Sequence, residues 1–103
     1  MSNITQMAYS MIASAGDAQA LQFKALEDAK KADFGAAEKI LGEADELLLK
    51  AHELQTNLIK DEANGVKNEL SVLLIHAQGY VNNAILNKKL IEQMIDIYRE
   101  LRT

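Results

Sequence analysis

Two histidines are the side chains of this chain best suited to covalent chemistry, His52 in "KAHELQT" and His76 in "LIHAQGY". There is no cysteine, so no disulfide, thiolate nucleophile or zinc-finger site can form, which suits a reducing compartment. A neutral imidazole can accept a proton, ligate a metal or attack an electrophilic phosphorus. On a packed helix a histidine is more often a hydrogen-bonded structural residue, so its surroundings must decide between these roles.

After His76, Tyr80, Asn83 and Asn87 follow at spacings of four, three and four. On a helix these form one polar strip, which sets the imidazole at the edge of an apolar face. The same face offers no acid or second histidine at three or four spacing, so a metal would lack ligands. A hydrolase triad has no third member, and there is no glycine-rich phosphate loop. Phosphoryl acceptance asks least of the surroundings: one positioned ring nitrogen, donors for the phosphoryl oxygens, and a partner that supplies the group.

The elements that must position these residues are helices. The chain has 103 residues, no proline, five glycines and 5% aromatics, a composition that favours helix over sheet. Its length fits one domain, residues 1–103, with one modest core. The net charge is −4, with Lys and Arg interspersed among acids, so no basic face is offered to nucleic acid. The start, "MSNITQMAYS", lacks the basic stretch and apolar core of a signal peptide, and no apolar run reaches membrane-spanning length. The expectation is a soluble cytoplasmic protein with no direct membrane insertion.

In the first segment Ile4, Met7, Met11, Ala15, Ala18, Leu21, Ala25 and Ala29 recur at helical spacing. Asn3 and Gln6 form a capping-box pattern at its start. Gly16 falls inside this stripe, where glycine costs about 1 kcal/mol relative to alanine, so close packing or a partner's approach is expected there. After the break at "KKADFG", with Asp33 placed to cap, a second stripe runs Ala37, Leu41, Ala44, Leu48, Ala51, Gln55 and Leu58. Ile40, Leu47 and Leu54 form a row beside it. "KDEANGVKN" is the second break: Asn64 and Gly65 suit a left-handed helix end and Asn68 can cap a third helix over 68–101.

The third helix opens with "LSVLLIHA", apolar on nearly every side. A helix apolar all round must be buried all round, and two neighbours in a three-helix bundle cannot cover it. Self-association is the economical reading.

Together, "SAGDAQALQFKALEDAKKADFGAAEKIL", "KAHELQTNLIKDEANG" and "LSVLLIHAQ" resemble the enzyme IIA component of the lactose, cellobiose and diacetylchitobiose branch of the phosphoenolpyruvate-dependent sugar phosphotransferase system. The resemblance covers nearly the whole chain. It implies an all-α fold, an antiparallel three-helix bundle that assembles as a homotrimer, a nine-helix bundle. It implies that a histidine on the third helix takes a phosphoryl group from HPr. That histidine then passes the group to a cysteine of a cognate IIB protein, linked to a membrane IIC permease. His76 occupies the place of that histidine, and Gln78 matches the glutamine two residues on. His52, Gln55 and Thr56 match the second-helix motif, with a supporting role in packing or in orienting the site. A purely structural role for these three, as buried polar residues that pin helix register, is equally open.

The departure from the family pattern is confined to one turn. Where the family has aspartate then histidine after the glutamine, this chain has Gly79 and Tyr80. In the family the three aspartates meet on the trimer axis and bind one divalent cation. Gly79 has no ligand atom, so the resemblance implies no metal and no other cofactor here. Three carboxylates about 5 Å apart would repel by roughly 3 kcal/mol per pair at an effective dielectric of about 20, so glycine removes ligand and repulsion together. Asn82, one turn on and also at the axis, is expected to join Asn83 in a ring of interchain amide hydrogen bonds that specifies register. Tyr80 can donate a hydrogen bond beside His76 but cannot carry positive charge at neutral pH.

The leading reading is thus a phosphohistidine carrier in sugar uptake, with His76 as nucleophile. The alternative is a non-catalytic helical interaction or regulatory module built on the same scaffold, for which the altered turn "GYVNN" speaks.

Overall fold

Helices α1 (Asn3–Lys30), α2 (Phe34–Ala63) and α3 (Val72–Glu100) follow one another, with no strand among the described residues. The computed structural model describes residues 3–102, and the helices form a rod of 54 × 24 × 19 Å. Some 30 residues at about 1.5 Å rise give about 45 Å, so each helix runs nearly the length of the rod. Cross-helix pairs give the directions. Gln55 meets Gln78 and Asn82, Asp45 meets Lys88, and Glu38 meets Arg99, so α2 and α3 are antiparallel. Gln19 meets Tyr80 and Gln22 meets Ala84, so α1 and α3 run the same way. The bundle is up-down-up.

Alanine sets how closely the helices approach. Ala8, Ala15, Ala18, Ala25 and Ala29 of α1, Ala37, Ala44 and Ala51 of α2, and Ala77 and Ala84 of α3 are buried. Met11, Val81 and Ile91 supply the bulk between them. Helix α1 packs along both others, whereas α2 and α3 touch each other much less. The predicted α2 row is buried except at Leu41, which is half-buried like Ile40, Leu47 and Leu54 beside it. The α1 row needs two corrections. A buried row runs 8, 11, 15, 18, 22, 25 and 29, with Ser14 buried beside it, so Gln22 takes the place expected of Leu21 and Ala8 that of Met7, both of which, like Ile4, are half-buried. Alternating steps of three and four keep that row straight along the seam, and they pass through the glutamine.

Both turns close by the same device. Ala32 N–H donates to Ala29 O and Asp33 N–H to Asp28 O, with Ala32 at φ +64°. Gly65 N–H donates to Glu62 O and Val66 N–H to Asp61 O, with Gly65 at φ +87°. This is the paired bonding that satisfies the last helical carbonyls around a left-handed residue. Glycine takes that conformation freely, whereas alanine does so at a cost. Asp33 caps α2 as predicted, its Oδ1 accepting from Ala36 N–H at 3.2 Å.

Two helix starts differ from expectation. α1 begins at Asn3, so Asn3 stands inside the helix and not before it as a cap. α3 begins at Val72, later than the expected 68, because Ser71 and not Asn68 is its cap: Ser71 Oγ accepts from Leu74 N–H at 3.1 Å. Residues 66–71 form an irregular link that carries the chain from the end of α2 to α3.

The opening of α3 is not covered within one chain. Leu74 and Ala77 are buried, yet Val72, Ile75, Leu86, Leu90, Ile97 and Leu101 remain between 48% and 85% exposed. They fall on one side of α3, at steps of three, four or sums of these.

Candidate functional site

His76 lies in the second turn of α3 and is exposed. One turn on, the ring of Tyr80 meets its imidazole edge to face, with centroids 4.9 Å apart and planes at 69°. Tyr80 is half-buried against α1. A Cβ placed on Gly16 would sit 3.6 Å from Tyr80 Cε1, in ordinary contact, so an edge of the ring packs beside the glycine. That is the close packing expected of Gly16.

Two glutamines of α1 address the same strip of α3. Gln19 Nε2 donates to Tyr80 O at 3.3 Å, and Gln22 Nε2 donates to Ala84 O at 3.1 Å. Asn87 Nδ2 donates back to Gln22 Oε1 at 2.8 Å, so the fully buried Gln22 amide has both its ends engaged. The polar strip His76, Tyr80, Asn83 and Asn87 therefore includes two positions fastened to α1. Gln19 and Gln22 were not among the expected site residues. The signal for Gln22 was available: it is a polar residue in an apolar row, as Gln55 is.

The remaining expected residues fall on other faces. Two residues along a helix is about 200° of rotation, so Gln78 points away from His76 and towards α2. There Gln55 Nε2 donates to Gln78 Oε1 at 2.7 Å and to Asn82 Oδ1 at 3.1 Å. Gln55 is buried and Asn82 exposed. His52 is exposed and lines an α2–α3 groove of about 580 Å³ with Asp45, Leu48, Ile85, Lys88 and Lys89. Ile85 lies nine residues beyond His76, about 14 Å along the axis, so within one chain His52 and His76 are apart. The structure thus brings Tyr80 to His76 and Gln55 to Gln78 and Asn82, and it separates these two clusters.

Gly79 lies between them among the exposed apolar residues of α3. A Cβ there would meet nothing within 4 Å. A glycine in open space provides no side-chain donor, so this position does not fit a metal ligand. Among the described residues no three His, Asp or Glu side chains of one chain converge on a cation position.

What this arrangement offers is an exposed imidazole, that of His76, with the Tyr80 ring packed against it. Residues 6–99 match the family model for the lactose/cellobiose-specific IIA subunit of the phosphotransferase system. The chain belongs to this IIA family. The lactose-specific EIIA component of Staphylococcus epidermidis is 35% identical over 94 residues, which span 91% of this chain and 90% of that protein. Among solved structures, the cellobiose-specific enzyme IIA of Bacillus anthracis superposes with a TM-score of 0.95 at 39% identity, covering 99% of this chain and 94% of that one. The IIA(chitobiose) structure solved in complex with HPr, from the Escherichia coli phosphotransferase system, gives a TM-score of 0.85 at 30% identity, with both chains fully covered. This IIA chain has no helix among its described residues long and apolar enough to cross a membrane.

Proposed function

We propose that this IIA protein, acting as a single domain over its whole length, is a cytoplasmic phosphohistidine carrier in sugar uptake. His76 accepts a phosphoryl group from phospho-HPr and passes it to the cysteine of a cognate IIB protein, which serves a membrane IIC permease. The observation that carries this reading is an exposed His76 held against Tyr80 on α3. The superposition on a IIA structure solved with HPr supports HPr as the donor.

In the accepting step an imidazole nitrogen attacks phosphorus as the bond from phosphorus to HPr breaks, and HPr keeps the electron pair. In the donating step the IIB sulfur attacks, the P–N bond to His76 breaks, and the imidazole recovers its lone pair. Transfer between proteins of this kind asks the scaffold for alignment and charge stabilisation above all. Gln55 and Gln78 support the carrier through the register of α2 on α3, at a distance from His76.

The working form is a homotrimer, with the exposed stripe of α3 on the axis. Burial of such a side chain gains roughly 1.5–3 kcal/mol when complete, and Val72, Ile75, Leu86, Leu90 and Ile97 supply five on each chain. Gly79 leaves the axis without a metal ligand. Asn82, whose Oδ1 is already held by Gln55, keeps its amide N–H groups for a neighbouring copy, so the interchain ring is anchored from α2.

Intact-mass analysis after incubation with phosphoenolpyruvate, enzyme I and HPr tests the carrier. One acid-labile phosphoryl group on the wild type and none on His76→Gln is expected. A folded wild type that stays unmodified beside an active control IIA protein would overturn the reading and leave the interaction module in its place.

A further inference from the structure

We infer that Gly16 and Gln19 of α1 act as positioning residues for His76, by seating the ring of Tyr80 so that this ring, and not its hydroxyl, fixes the imidazole. The inference rests on the carrier reading for its consequence in transfer, though the seat itself is a matter of geometry alone.

Three contacts make the seat. An edge of the Tyr80 ring packs beside Gly16, close enough that an alanine Cβ would touch it at 3.6 Å and a branched side chain would enter its space. Gln19 Nε2 holds the Tyr80 carbonyl oxygen at 3.3 Å, which ties this turn of α3 to α1. The same ring meets His76, with centroids 4.9 Å apart, in the edge-to-face arrangement that aromatic pairs prefer. An exposed imidazole at the helix surface otherwise samples several rotamers. A half-buried ring packed against α1 limits that choice.

The pairing makes a second point about residue type. The ring contact needs an aromatic plane and no hydroxyl, so phenylalanine should serve as well as tyrosine. Alanine at position 16 keeps the seat, whereas valine there displaces the ring.

The test uses the full-length protein in two readouts. Three-bond couplings and imidazole proton shifts of His76 report its rotamer and the ring above it, whether or not phosphoryl transfer occurs. Single-turnover transfer from phospho-HPr reports the consequence. Wild type, Tyr80→Phe and Gly16→Ala are expected to share one His76 rotamer, since each keeps the aromatic ring beside the imidazole. Tyr80→Ala and Gly16→Val are expected to average the rotamers and slow transfer about tenfold or more, since small misplacements of a reacting group carry losses of that order. Circular dichroism and native mass establish that each variant is folded and assembled. If folded Tyr80→Ala keeps the wild-type His76 couplings, or if Tyr80→Phe fails as badly as Tyr80→Ala, the seat is overturned. Loss of the single rotamer with no change in rate would overturn the positioning role. A wild type that takes no phosphoryl group would overturn the carrier reading, and the couplings would then decide the seat separately.

Discussion

The Gln55 side-chain amide nitrogen lies 2.7 Å from the side-chain oxygen Oε1 of Gln78. The same nitrogen is 3.1 Å from Asn82 Oδ1, so one buried donor of α2 serves two acceptors a turn apart on α3. Since α2 and α3 touch each other less than either touches α1, this is a large share of what fixes their relative height. Hydrogen bonds of this kind contribute about 1 kcal/mol net, and more is lost when a buried partner is left unpaired.

A double-mutant cycle over Gln55→Leu and Gln78→Leu checks this. Each single substitution should destabilise by about 1–2 kcal/mol and the pair should show a coupling above about 0.5 kcal/mol. Urea unfolding followed by circular dichroism at one fixed protein concentration measures it, because assembly makes stability concentration-dependent. Additive losses would mean that the two amides act independently.

Ala32 takes a left-handed conformation, φ +64°, at the position where Gly65 sits in the second turn. An L-residue there costs about 1–2 kcal/mol, partly offset by the chain entropy that glycine loses on folding. Ala32→Gly should therefore stabilise the protein by about 0.5–1 kcal/mol, seen as a higher urea midpoint at unchanged slope. A lower midpoint would show that the turn tolerates alanine without strain.

Gly79→Asp probes the proposed axis. Within one chain the new Cβ meets open space, so the helical fold should persist. In a trimer with this residue on the axis, three carboxylates repel by roughly 3 kcal/mol per pair at an effective dielectric of about 20. Sedimentation velocity in chelator should show dissociation, and a divalent cation should restore the assembly. A variant trimer indifferent to both would place Gly79 off the axis.

The sequence alone was enough for the local features. Three helices, the capping by Asp33, the left-handed Gly65 and the apolar row of α2 all follow from contacts between residues three to five apart, which spacing and residue type encode directly. That Gly16 packs against a neighbour was legible too, though not which residue that neighbour is. The tertiary structure decided what depends on how the helices are rotated and offset against one another. It seated Tyr80 beside Gly16 and paired Gln55 with Gln78 and Asn82 on the flank away from His76. It put Gln22 in the core in place of Leu21, and it set His52 beside Ile85. A one-residue change in rotation is 100°, and no single helix contains the information that selects it. That choice is made when close-packed alanines on three helices must be satisfied together, and it is why Tyr80, the ring that meets His76, packs against α1, while the second-helix motif that the sequence had marked lies on another flank.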